Sequence, residues 1–305
     1  MIFRMKAITV SKGATRDQKK LIAVVLTILF VYYAVFYIFP IVYAFIGSFF
    51  NWNIAMGKFD FNGVENYQRV WAAKKFRVSI LNSVFFSLTS TALRLGIGCL
   101  IAVLIFYVPR RMQSVYRMLY FLPLILSMVA TSYIWKWFFG TNNGLVNILL
   151  RAVGLPGPNW LKSRDYAMSA VIITTIWKDV GFAVIMYLAG LYQISDSVYE
   201  AAEIDGANKY HIFAHIMLPM LGNVTLFLLI TSINGYIQSF DQFFILTEGG
   251  PGTASYVMAF YLYEMAFENY NFGQASAISF IMAAIVMVLS VLNLALQKNG
   301  SEAIV

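Results

Sequence analysis

Long stretches of this sequence carry no charged residue, and the lengths of those stretches predict its elements. Residues 21–50 run 30 positions without a charge. A helix advances about 1.5 Å per residue across a hydrocarbon slab of about 30 Å, so roughly 20 apolar residues cross it. The first run therefore spans with room to tilt. A second span lies within residues 78–109, whose one charge is Arg94. A third occupies 118–135, uncharged for 18 positions and extendable through Phe139. Residues 167–194 are interrupted by Lys178 and Asp179, yet neither apolar flank is long enough alone, so the pair is predicted inside a fourth span. Residues 216–240 supply a fifth span and 269–297 contain a sixth, both uncharged. The regular alternation of barrel strands is missing from these runs. The first run is longer than a signal-peptide core of about 7–15 residues and leads to no small-residue cleavage site, so a retained anchor is expected. The predicted fold class is an all-α integral membrane protein. A basic tail, 1–20, precedes a single six-helix domain, 21–305.

Composition agrees: 60% hydrophobic and 12% charged residues leave too little polar surface for a soluble globule. The formal charge of +8 would suggest nucleic acid in a polar protein; in this one it reflects basic residues held on the cytoplasmic side, and no nucleic-acid partner is expected. Arg4, Lys6, Lys12, Arg16, Lys19 and Lys20 crowd the amino terminus, and Arg110, Arg111 and Arg117 fill the turn between spans two and three. Six crossings with these segments inside put both termini in the cytoplasm. The overall bias is small, 11 basic residues inside against 9 outside, and the orientation rests on the dense block beside the first helix. Cys99 is the single cysteine, so no internal disulfide forms. His211 and His215 can share a helix face, but no HExxH pattern or third ligand accompanies them, and zinc is not expected. No GxxxxGK[ST] occurs, so the chain cannot be its own ATPase.

Between the spans, residues 51–77 read as an outer loop with an amphipathic helix over 64–76. The stretch 145–153 reads as a short helix stopped by Gly-Leu-Pro-Gly-Pro. The inner segment 197–219 is more informative. Ser197 and Glu200 fit a capping box that starts a helix running to about Ile204. Asp205-Gly206 breaks it, because glycine enters a left-handed turn that bulkier residues resist. A second helical stretch from about Ala207 places Tyr210, Phe213 and Met217 at near-helical spacing before Pro219. Two short helices with small residues at the bend make either a compact knob suited to a socket on another protein or a linker lying on the membrane surface.

Glu200, Ala201, Ala202, Gly206, Ile216, Leu218 and Pro219 match every fixed position of the pattern EAA, three residues, G, nine residues, I, one residue, LP. The segment resembles the EAA loop of permease subunits in binding-protein-dependent ABC importers. Much of the chain is similar to the sugar branch related to the maltose permeases, in a compact six-helix form. The similarity includes Trp177 and Phe182 in a W-x-x-x-x-F element and the LT-x-GGPG segment ending at Gly252.

This resemblance implies partners: a cytoplasmic ATPase dimer that binds ATP and Mg, a second transmembrane permease, and an extracellular or periplasmic solute-binding protein. It implies residence in a bacterial or archaeal cell membrane and no cofactor in this chain. Glu200, Ala201, Ala202, Asp205 and Gly206 are the expected ATPase-coupling residues. Lys178, Asp179 and Phe182 in span four and Ser232, Tyr236 and Ser239 in span five are expected near the transported sugar. Phe182 and Tyr236 offer aromatic platforms, and the serines offer hydroxyls.

Bare physical chemistry leaves these residues more open. Lys178 and Asp179 are expensive in lipid and fit either an aqueous path or a structural ion pair. Being adjacent on a helix, they need not pair with each other. Arg94 can snorkel or hold another helix. Ser232, Tyr236 and Ser239 fall on one face, and Asn234, Gln238 and Asp241 on the opposite one. The charged pair keeps a glycerol-phosphate-type or other polar solute open beside a sugar. A membrane enzyme would need a convergent acid, base or metal cluster, and an ion-coupled transporter would need no cytoplasmic knob.

Overall fold

A computed structural model describes residues 15–302, with the side chains of Arg110 and of residues 292–302 left aside. Arg4, Lys6 and Lys12, part of the basis for the predicted orientation, lie outside the described residues. Helix α1 (Arg16–Tyr33) starts at a capping box: the Thr15 hydroxyl accepts from the Gln18 N–H, and the Gln18 side chain accepts from the Thr15 N–H. It continues through a π turn, Ala34–Ile38, into α2 (Phe39–Gly47). The turn directly precedes Pro40, which has no N–H to give the helical ladder, and the wider register takes up the missing bond.

The residues after the first span pair as strands β1 (Phe50–Asn53) and β2 (Lys58–Phe61), with Phe50 opposite Phe61 and Asn53 opposite Lys58. This corrects the expected loop: the Phe50 and Phe59 rings stack at 4.6 Å, and cross-strand aromatic pairs of this kind stabilise a two-stranded ribbon. The predicted amphipathic helix divides at Ala73, which is extended, into α3 (Glu65–Ala72) and the start of α4 (Lys74–Phe106). Asn66, buried on α3, donates to the carbonyls of Ser48 and Phe50 at 2.9 and 2.8 Å and fixes the hairpin to that helix.

After α4 come α5 (Arg110–Ile125) and α6 (Met128–Phe138), bent by 99° at the break between them. The predicted third span is therefore divided between two helices at a sharp bend. Pro123 leaves the last turn of α5 one donor short, and Ser127 caps α6 by accepting from the Ala130 N–H at 3.2 Å. The short helix α7 (Leu145–Ala152) follows as expected, and α8 (Ala167–Leu191) is the fourth span. Next come α9 (Asp196–Ile204), α10 (Lys209–Ile212), a second π turn before Pro219, and α11 (Leu218–Met220). The chain bends by 61° into α12 (Gly222–Ile237), so the run predicted as the fifth span is also divided by a bend, and its helix ends before the predicted Phe240. Helices α13 (Asp241–Leu246), α14 (Met258–Tyr263) and α15 (Phe272–Glu302) complete the described chain. Among the described residues four helices are long and apolar enough to cross a membrane, and the two bent pairs bring the number to six if each is one span.

Helices α4 and α8 form the heart of the bundle. A Cβ on Gly98 would fall 2.6 Å from the Ala183 Cβ, and one on Gly181 only 1.9 Å from the Tyr120 carbonyl oxygen of α5. Small residues thus let three backbones approach, the arrangement that gives helices their packing where water supplies no hydrophobic drive between them. On α4, Ser79, Ser83, Ser87 and Ser90 are all buried. Ser87 donates across to the Ile233 carbonyl, and Ser83 accepts from the Met258 N–H. By contrast, α1 and α2 leave their apolar side chains exposed along almost their whole length.

Candidate functional site

The end of α12 shapes the polar centre of the bundle. The Gln238 side chain donates to the Asn234 carbonyl at 2.9 Å, taking the acceptor that a continuing helix would use, and the backbone turns away until α13 begins at Asp241. A cavity of about 360 Å³ opens there, bordered by α4, α6, α8 and the α12–α13 corner. Five of the six residues predicted near the solute line it: Lys178, Asp179, Ser232, Tyr236 and Ser239. Phe182 does not; its ring lies behind, 5.2 Å from the Arg94 guanidinium carbon.

Lys178 and Asp179, although consecutive, are paired at 3.4 Å and half-buried. Arg94 was left open by the sequence, and it borders the same space, donating to the Ser232 hydroxyl at 2.9 Å. Gln238 and Asp241, predicted on the opposite face, line the cavity as well, because the helix has ended before them and the periodicity no longer applies. Asn234 keeps to its face and exchanges hydrogen bonds with Ser290 of α15 at 3.1 and 3.3 Å. Gln242 is a cavity residue that sequence reasoning missed; the polar run Gln238, Ser239, Asp241, Gln242 was its available signal.

The segment between α8 and α12 is a compact knob. Helix α9 starts two residues earlier than predicted, with Ser195 in place of Ser197 as cap. The expected box at Ser197 is not formed, the Ser195 and Ser197 hydroxyls bonding each other at 2.8 Å instead. At its other end Gly206 is left-handed, φ +79°. The Gly206 N–H donates to the Glu203 carbonyl at 3.1 Å and the Ala207 N–H to the Ala202 carbonyl at 2.9 Å, the paired bonds of a Schellman stop. Glu200, Ala201, Asp205 and Gly206 are exposed, as is Ile204, 86% accessible; Ala202 turns inward. Met217 is fully buried, Phe213 half-buried and Tyr210 exposed, so the predicted stripe serves as an anchor only from Phe213 onward.

Beneath the knob lies an aromatic seat. The Phe106 ring stands 5.5 Å from Tyr192 and 5.7 Å from Tyr199. Burial first, then the neighbouring Tyr107 and Asp196, raise the Tyr199 phenol above its ordinary pKa, so it stays neutral there. Tyr192 donates to the Gln113 carbonyl oxygen at 2.5 Å, and Gln113 donates to the carbonyls of Phe106 and Val108. His211 and His215 stack at 5.3 Å; among the described residues no group of three or more His, Cys, Asp or Glu stands close enough to hold a metal ion.

On the opposite side of the bundle, the Gly-Gly-Pro-Gly turn is tied to α4. Asn82 donates to the carbonyls of Thr253 and Tyr256 at 2.8 and 3.0 Å. Lys75 reaches Glu264 at 2.6 Å, and the Tyr256 hydroxyl donates to the same carboxylate.

Comparison with known proteins agrees with this architecture. Residues 94–300 match the family model described as binding-protein-dependent transport system inner membrane component. The chain is 31% identical over 258 residues to the probable ABC transporter permease protein YurN of Bacillus subtilis, covering 84% of this chain and 88% of that one. It is 33% identical to the lactose transport system permease protein LacF of Rhizobium radiobacter, covering 85% and 88%. Among solved structures, a bacterial ABC transporter involved in import of the acidic polysaccharide alginate shares the fold, with TM-score 0.82 and 21% identity over 93% of this chain and 96% of that one. With two thirds of its length matched to the family and most of it aligned to named permeases, the chain belongs to the inner membrane components of binding-protein-dependent transport systems and is a permease subunit of an ABC import system.

Proposed function

We propose that this chain forms, with a second permease, the membrane passage of an ATP-driven importer for a sugar or oligosaccharide. An external solute-binding protein delivers the solute, and ATP and Mg act on separate ATPase subunits. The cavity carries this reading: two serines, a buried tyrosine, two amides, two acids and two bases converge on a polar space beside the middle of α4 and α8 and the end of α12. A sugar site combines such hydroxyls and amides with aromatic surface, and Tyr236 supplies the ring. The lactose permease named above supports a carbohydrate.

The knob is the coupling element. Glu200, Ala201, Asp205 and Gly206 meet the ATPase, and Ala202 holds the knob to the bundle. Its Schellman stop makes it stiff enough to pass on a push, while small residues at the bend allow close approach. Closure of the ATPase pair moves both knobs and shifts the permease pair between inward-open and outward-open states. In this orientation the knob and both termini lie in the cytoplasm, and the whole span-bearing region works as one domain.

The test is co-purification of the tagged chain followed by reconstitution. An ATPase, a second permease and ATP-dependent uptake of the sugar carried by the associated binding protein are expected. Labelling of a cysteine at Ala201 from outside sealed cells, or uptake driven by an ion gradient without ATP, would overturn it.

A further inference from the structure

Two basic and two acidic side chains line the cavity, and one of the bases, Arg94, makes no ion pair among the described residues. Arg94 is 9% exposed and makes one side-chain hydrogen bond, to Ser232, using one of its five N–H groups. Its Nε atom is buried without a partner. Among the described residues no carboxylate pairs with it: Asp179 is engaged by Lys178, and Asp241 is exposed at the rim. The rings of Phe182 and Tyr236 stand 5.2 and 5.9 Å from its guanidinium carbon. Cation–π contacts compensate a buried cation only in part, because withdrawing a charge from water costs more than such contacts return. Beside it the Tyr236 hydroxyl, on a residue 5% exposed, lies close to both Arg94 and Asp179 and meets neither in full hydrogen-bonding geometry.

Holding α4 to α12 through Ser232 uses a small part of this donor set. A guanidinium fork with a free phenol next to it matches an oxyanion, which accepts several charge-assisted bonds at once. We propose that Arg94 selects the solute, and that the solute bears an oxyanion (carboxylate, sulfonate or phosphate) on a polyhydroxylated body. This rests on reading the cavity as the solute pathway.

The experiment uses the full transporter with its partner subunits, this chain carrying Cys99→Ala and Ser239→Cys. The new thiol is labelled with anionic or cationic methanethiosulfonate reagents, and glucuronate and glucose are compared as protecting ligands. An unpaired positive charge nearby favours the anionic reagent by on the order of tenfold. Glucuronate slows labelling and glucose does so much less. Adding Arg94→Gln removes the reagent preference and the advantage of glucuronate. Arg94→Lys, which keeps the charge and loses the fork, retains the preference while glucuronate protects less well. Equal rates for the two reagents, or glucose protecting as well as glucuronate, overturns the proposal in the Arg94 chain without needing a variant. Trapping with ATP and vanadate separates the two readings. A thiol that responds to trapping without charge preference defeats only the Arg94 inference, whereas one indifferent to trapping defeats the pathway reading on which it stands.

Discussion

The central cavity and the knob between α8 and α12 are opposite kinds of surface. The cavity is a recess open at its rim and chemically incomplete within, with a guanidinium nitrogen and a phenol that the protein leaves without partners. The knob is exposed and its helix stop is closed: both backbone bonds are made, and Ile204 faces outward among the exposed Glu200, Ala201, Glu203, Asp205 and Gly206. A recess with an unpaired guanidinium awaits a polar ligand, whereas a rigid projection carrying an exposed isoleucine among acidic and small residues awaits a socket. Their damage should therefore separate, one in solute handling and the other in energy supply.

The largest effect is expected at the knob. Ile204→Glu alters no buried contact, so thermal stability of the chain stays within about 0.5 kcal/mol of the parent. ATPase co-purification and uptake are nevertheless lost. Equal ATPase recovery from Ile204→Glu and parent membranes would break the contrast. Next is Gly206→Val. No atom lies within 4 Å of a Cβ placed there, so only the left-handed backbone resists, by about 1–2 kcal/mol, or roughly tenfold in the population of the formed knob. Uptake should fall by a similar factor, and Gly206→Asn, whose side chain tolerates that conformation, should keep most of it.

Cavity variants sharpen the other half of the comparison. Lys178→Met leaves Asp179 half-buried without its partner, and uptake should drop several-fold while the ATPase still co-purifies. Pairing it with Asp179→Leu should restore assembly stability more than uptake, because the stranded charge is gone but the polar lining is too. A double variant transporting as well as the parent would make the pair purely structural. The smallest effect belongs to the seat under the knob. Tyr192→Phe removes the hydroxyl between Gln113 and Arg117, bonded at 2.5 and 2.9 Å, and should lower stability by about 1 kcal/mol on thermal unfolding in detergent.

Legibility in the sequence followed the range of the forces involved. The spans were readable because lipid imposes a length on every crossing. The Asp205-Gly206 stop was readable because a left-handed residue acts within one turn. The capping box at Ser197 was misplaced because Ser195, Ser197 and Asp196 compete for one helix start within three positions. The hairpin at Phe50–Phe61 escaped because four-residue strands give too short an alternation to stand out in an aromatic-rich stretch.

The break near Ser127 was hidden for another reason: Pro123 and Ser127 sit inside an uninterrupted apolar run, and hydropathy registers length without direction. At the cavity, periodicity correctly grouped Ser232, Tyr236 and Ser239, then failed for Gln238 and Asp241. It assumes that a helix continues, and here a side chain ends it by capturing a carbonyl.

By itself, then, the sequence determined which apolar runs are long enough to cross, which charges lie within them and where the knob turns, since burial in lipid and backbone conformation act residue by residue. Only the tertiary structure decided that Arg94, Lys178, Asp179, Tyr236 and Asp241 face one space and that Lys178 spends its charge on Asp179 while Arg94 has no such partner. Those outcomes depend on distances between side chains far apart in the chain, and such distances are set by how closely Gly98 and Gly181 let the helices pack.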